Sequence, residues 1–213
     1  MNTAQAAIQQ PIRRFQDLIE AGAGALPGRG RGWLDAQRAF AVKQFLQRGL
    51  PTRKDESWRY TSLDRLLDQP WSLRTGGGTA AGIDTAALRL ADRATARLVF
   101  VDGRFSATLS ELPAADTALR IGSLHTALQE RPDELAEWLG QAIVPAPGPD
   151  ESPDKPCALP TFAALNTALL DDGAWVHVPA GMQLDAPIEL VYVCTARTDA
   201  AVVQPRNLIV LED

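Results

Sequence analysis

The chain has 213 residues, 46% hydrophobic and 22% charged, a composition suited to a globular protein with one large core or two smaller ones. Its formal net charge of −5 argues against a general nucleic-acid binder, which needs a basic face to release counterions from phosphate. The first ten residues show no basic stretch followed by an apolar run, no segment approaches the ~18 apolar residues of a membrane helix, and a cytoplasmic chain with reduced thiols is expected.

The first predicted helix covers about residues 3–21, where Ile8, Ile12, Phe15, Leu18 and Ile19 recur at spacings of three and four and share one face. The run Gly28-Arg29-Gly30-Arg31-Gly32 ends it as a loop. A second helix is predicted over residues 34–48 with Val42, Phe45 and Leu46 as its apolar stripe. Its stop signal is Gly49, which takes a positive φ readily, then Leu50 folding back and Pro51 barring continuation. A short helix with Leu63, Leu66 and Leu67 inward should follow, capped by Thr61 and ended by Pro70.

The Gly-rich residues 75–82, including Gly76, Gly77 and Gly78, read as a loop. Residues 97–101 form a strand, and Asp102-Gly103 before Arg104-Phe105 is a hairpin signal, because a type I′ turn needs positive φ at both central positions. Another strand is expected at 118–121. Helices are expected at 124–128 and at 132–139, the latter with Pro132 first and Asp133 and Glu134 in its opening turn. Prolines at 145, 147, 149, 153, 156 and 160 exclude a packed helix or central strand. The chain is therefore divided into an N-terminal α+β domain (1–144), a Pro-rich linker (145–160) and a C-terminal region (161–213). That region opens with one helix at 161–170 and continues as strands at 175–178, 188–194 and 208–211, the beginning of an all-β domain. An apolar strand two residues from the last residue is an exposed edge. It leads us to expect a truncated chain, frayed beyond about Ala180.

No catalytic, cofactor-binding or metal-ligating residue is assigned. His125 and His177 have no ligand at metal-binding spacing. Cys157 lies in the linker and Cys194 ends a strand, where burial is expected; two thiols fall short of the four that normally hold an iron–sulfur cluster. The Gly-rich runs lack the pattern of a phosphate loop. The pairs Asp55/Glu56 and Asp171/Asp172 read as solvated charges.

Gly49-Leu50-Pro51-Thr52-Arg53-Lys54-Asp55-Glu56-Ser57-Trp58-Arg59-Tyr60-Thr61-Ser62-Leu63 resembles the GLPTRK-x-E-x-W-[KR]-YT-x-L motif of SufD proteins in the SufB/SufD family of iron–sulfur cluster assembly. The hairpin at Arg97 to Arg104 resembles that family's N-terminal domain. Phe162-x-x-Leu165-Asn166-x-Ala168, Asp172-Gly173, Val178-Pro179, Pro187-Ile188 and Pro205-Arg206-x-Leu208-Ile209-Val210 resemble its entry into the core domain. The resemblance implies an α+β N-terminal domain followed by the first strands of a right-handed parallel β-helix. It also implies a non-enzymatic scaffold component that works with a SufB-like subunit and a SufC-like ABC-type ATPase. The iron–sulfur cluster would be handled by the assembled parent complex, with no cofactor held by this portion. From the residues themselves, Trp58 and Tyr60 are expected to be buried and to pin the helices, with Arg59 in solvent. Rival readings are a β-helix enzyme acting on polysaccharide, which would need converging carboxylates, and a stand-alone helical adaptor.

Overall fold

The computed structural model describes residues 3–73, 80–84, 86–114, 117–142, 160–195 and 200–213. The loop at Gly76, Gly77 and Gly78, the linker prolines up to 156, Cys157 and the Ile8 side chain lie outside the described residues. Contacts divide the chain into two compact units, each assembled from separate stretches of sequence. One comprises Met1–Leu73, Gly140–Leu169 and Asp199–Val202; the other comprises Arg74–Leu139, Leu170–Thr198 and Val203–Asp213.

The first unit is mainly helical. Helix α1 spans Thr3–Gly22, α2 spans Gly32–Arg48, and α3 is a single turn at Asp64–Leu67. Strand β1 (Ser72–Leu73) is followed, much later in the chain, by α6 (Thr161–Ala168) and β7 (Ala201–Val202). Phe15, Leu18 and Ile19 of α1 are buried with Ala41 and Phe45 of α2 and with Leu165, Ala168 and Leu169 from α6 and its C-terminal end. The periodicity of α1 predicts this face. Phe15 and Phe45 meet edge to face at 5.9 Å. Burying each such ring or leucine is worth about 1.5–3 kcal/mol, so this cluster is what holds the helices together. Gly49 ends α2 as its sequence dictates, with φ 70° and its N–H donating to Phe45 O at 2.9 Å; Leu50 packs back onto the core. The stripe on α2 is corrected at Leu46, which is exposed, while Leu34 and Arg38 are buried in its place. The expected Thr61 cap is also corrected. Leu63 occupies the N-cap without a side-chain bond, and the Ser62 hydroxyl meets Asp64 instead. Strands β1 and β7 pair in parallel, Ser72 opposite Ala201.

The second unit carries two three-stranded sheets. In one, β2 (Ala96–Val101) lies between β3 (Arg104–Phe105), antiparallel, and β6 (Ile188–Val193), parallel. In the other, β5 (Ala174–Val178) lies between β4 (Arg120–Ser123), antiparallel, and β8 (Leu208–Leu211), parallel. All six residues of β2 are buried, as a strand covered on both faces requires. Asp102 and Gly103 adopt φ 49° and 84°, the type I′ turn their sequence specifies. Helices α4 (Leu124–Glu130) and α5 (Pro132–Ala136) follow β4. Ser123 caps α4 by accepting from Thr126 N at 3.1 Å, and Pro132 opens α5 where its missing N–H costs nothing.

Val176 and Val178 of β5 are buried with Leu119, against Ile121, Met182, Leu184 and Ile188. Ile209 and Leu211 stand opposite Val176 and Val178 in the parallel register, hence on the same face of the sheet. There they are 55% and 72% exposed. The exposed edge expected at the last strand is found on one side: β8 is hydrogen-bonded along β5, and among the described residues no strand pairs with its other edge.

Candidate functional site

The densest polar cluster lies in the second unit, where the chain turns into β5 at Asp171 and Asp172. Asp172 is 3% exposed. Its Oδ1 accepts from Ser123 Oγ at 2.8 Å, His125 N at 3.1 Å and its neighbour Gly173 N at 2.8 Å. Its Oδ2 accepts from Phe105 N at 2.9 Å. One carboxylate thus ties the end of the β2–β3 hairpin, the start of α4 and the start of β5. A carboxylate with this many donors stays buried because each lone pair is satisfied. Gly173 is required here for space, since a Cβ would lie 1.8 Å from Arg206 O.

Asp171, outside this buried knot, is partly exposed. It pairs with Arg104 Nη2 at 2.7 Å, and its Oδ1 lies 3.0 Å from His125 Nδ1. Arg104 Nη1 is 2.8 Å from the same His125 nitrogen. A guanidinium only donates and a carboxylate only accepts, so a single ring nitrogen satisfies one of them at a time. His177 meets Glu212, Nε2 to Oε1, at 2.8 Å, and this bond holds the Glu212 carboxyl below its usual range. Both histidines therefore have carboxylate partners, 46 and 35 positions away along the chain. The reading of Asp171/Asp172 as a solvated pair is overturned for Asp172. No group of three or more His, Cys, Asp or Glu able to hold a metal occurs among the described residues.

A second charge cluster crosses the β2–β6 pairing. Arg97 and Glu189 stand opposite in register, are nearly inaccessible to solvent, and pair with Nε to Oε2 at 2.6 Å. Ala91 N and Leu90 N donate to Glu189 Oε1 at 2.7 and 3.1 Å. The Arg97 guanidinium holds the Glu189 carboxyl below its usual range against the opposing effect of burial, with the two amides helping. The Arg97 guanidinium also lies 3.4 Å from the exposed Glu111 carboxylate, and the cluster ties β2 to β6.

The other sequence-marked residues that the structure describes lie outside these two clusters. Cys194 follows β6 and is exposed, which corrects the expected burial. Arg29 and Gly30 border a cleft of about 580 Å³ in the first unit, together with Ile19, Leu26, Asp35 and Arg38. The Asp35 carboxylate already accepts from Gly30 N at 3.0 Å, so the anion position at the head of α2 is filled from within. Trp58 is half-buried and contacts Phe162 with ring centroids 5.3 Å apart. Tyr60, expected in the core, is 92% exposed; Arg59 lies in solvent as expected. Among the described residues no helix is long and apolar enough to cross a membrane.

The sequence matches known proteins along most of its length. A family model described as the SufBD protein N-terminal region matches residues 10–190. The chain is similar to an iron-sulfur cluster assembly SufBD family protein of Synechocystis sp., with 31% identity over 167 residues, 77% of this chain and 33% of that protein. It is also similar to the iron-sulfur cluster assembly protein SufD of Escherichia coli K12, with 41% identity over 70 residues, 33% of this chain and 16% of that protein. The chain thus spans about a third or less of the length of these curated relatives.

Proposed function

The chain belongs to the SufBD family, and on that premise we propose that it serves iron–sulfur cluster assembly as the N-terminal portion of a SufD-like scaffold subunit. The observation that carries this reading is the match of the family's N-terminal region across residues 10–190. The portion described here acts by folding and docking rather than by catalysis. Its polar clusters are closed on themselves: Asp172 bonds four protein donors, and Glu189 is held by Arg97 and two backbone amides. The cluster is the cargo of the assembled parent complex, whose other members are a SufB-like subunit and a SufC-like ABC-type ATPase. The cytoplasm is the compartment this reading entails.

The C-terminal strands are, in the same reading, the opening coils of a right-handed parallel β-helix. Parallel pairing of β5 with β8 and of β2 with β6 is the contact such a solenoid repeats. The exposed apolar residues of β8 are what its next coil would cover, since each coil is stabilised by its neighbours. The test is reconstitution: the full gene product, co-expressed with the SufB-like and SufC-like proteins of the same organism, should co-purify with both. Recovery alone, while the other two still assemble with each other, would refute the reading.

A further inference from the structure

The segment expected to pin the helices does so through Trp58 alone, and the construction of its exposed remainder points to a binding role. Residues 52–57 and 59–62 are all exposed, and Trp58 is the half-buried side chain that attaches them, through Phe162. The segment nevertheless has a defined shape built from its own bonds. Asp55 Oδ2 accepts from Thr52 N at 2.6 Å and Thr52 Oγ1 at 3.1 Å, a 3-10 turn covers Glu56–Trp58, and Thr61 N donates to Trp58 O at 2.9 Å. A self-supporting exposed loop presents its side chains at low entropic cost to a partner. What it presents is Tyr60, with the Arg59 guanidinium 5.7 Å from its ring centroid, beside Arg53 and Lys54.

We propose that this loop is a docking surface for an acidic, aromatic-bearing segment of another protein. Tyr and Arg are the residues that most often dominate such contacts. Cations in and beside the loop are Arg48, Arg53, Lys54 and Arg59, against Asp55 and Glu56, and the Asp55 carboxylate is turned onto Thr52. The local charge is thus positive on a chain of net charge −5. Nucleic acid and anionic membranes are extended and face the net-negative remainder of the chain as well as the loop, whereas a short acidic protein segment meets only the positive loop, within about a Debye length.

The probe is a random glutamate–tyrosine copolymer titrated into the labelled chain, followed by amide chemical shifts, with polyglutamate, duplex DNA and phosphatidylserine vesicles in parallel. Saturable shifts centred on residues 52–61, stronger with the copolymer than with polyglutamate, are expected. Tyr60→Ala and Arg59→Gln should each weaken binding about fivefold or more, with unchanged melting temperature because both side chains are in solvent. Arg13→Gln, which removes an exposed charge on α1, should leave it unchanged. An equal loss with Arg13→Gln, tighter binding of DNA or vesicles, or no shift in the loop would each overturn the proposal.

Discussion

Asp172 shows how much one side chain contributes when its partners come from distant parts of the chain. Its donors lie 67, 49 and 47 positions away in Phe105, Ser123 and His125. The pattern Asp-Asp-Gly before a strand signals a turn, and nothing local signals which amides the carboxylate will meet. Asp172→Ala leaves buried donors unpaired and should cost about 3 kcal/mol in denaturant unfolding. Asp171→Ala, which removes a partly exposed ion pair, should cost under about 1 kcal/mol. Equal losses would contradict the division between a buried tie and a surface pair. Gly103 was legible, because a type I′ turn demands positive φ, but its second constraint was not. A Cβ there would lie 2.3 Å from Val203 Cγ1. Gly103→Ala should therefore destabilise by more than the ~1 kcal/mol of backbone strain alone, measured the same way. Tyr60 marks the opposite failure: an aromatic ring is read as core, yet here the loop is stabilised by its own hydrogen bonds and leaves the ring in water.

At the level of elements, the helices and strands follow closely from sequence periodicity. The face of α1, the Gly49 stop, the Asp102-Gly103 turn and three of the four C-terminal strands occur where their patterns place them, while the short β7 has no such pattern. Pairing partners are another matter. That β2 would take β6 as its parallel neighbour depends on contacts 92 positions apart, which no local pattern encodes. The pairing also explains why a strand as apolar as β2 contains an arginine: Glu189 stands opposite it in register. Because Arg97 lowers the Glu189 pKa in the folded state, the carboxylate contributes stability above its unfolded pKa of about 4.3. That contribution is lost as pH falls through the lower folded value. Stability should thus drop on acidification below about pH 4.3. Glu189→Gln should start lower at neutral pH and show a shallower acid decline, which a denaturation series across pH will read. An unchanged slope would mean that Glu189 is not among the titrating groups. Exposed apolar strands favour association between chains, and β8 leaves Ile209 and Leu211 exposed. Leu211→Lys should reduce self-association by light scattering while changing stability by no more than about 0.5 kcal/mol, as befits a side chain 72% exposed.

At the scale of the whole molecule, the two compact units interleave along the chain. Helix α6 packs with α1 and α2, although some hundred residues separate them. The motif of residues 49–63 made the SufB/SufD family legible before any coordinates, and the match across residues 10–190 establishes membership. Which buried polar residues close on one another is not legible in the sequence, because the ties of Asp172 to Phe105, Ser123 and His125 and of Arg97 to Glu189 are long-range. The buried charges Asp172, Arg97 and Glu189 hold strands and turns together. On the reading proposed above, the chain is the docking and folding portion of a cluster-assembly subunit. The most direct test of that reading is affinity purification of the full gene product co-expressed with its SufB-like and SufC-like partners. A stoichiometric complex containing all three proteins is expected; a SufB-like–SufC-like assembly that forms and excludes this protein would contradict that reading.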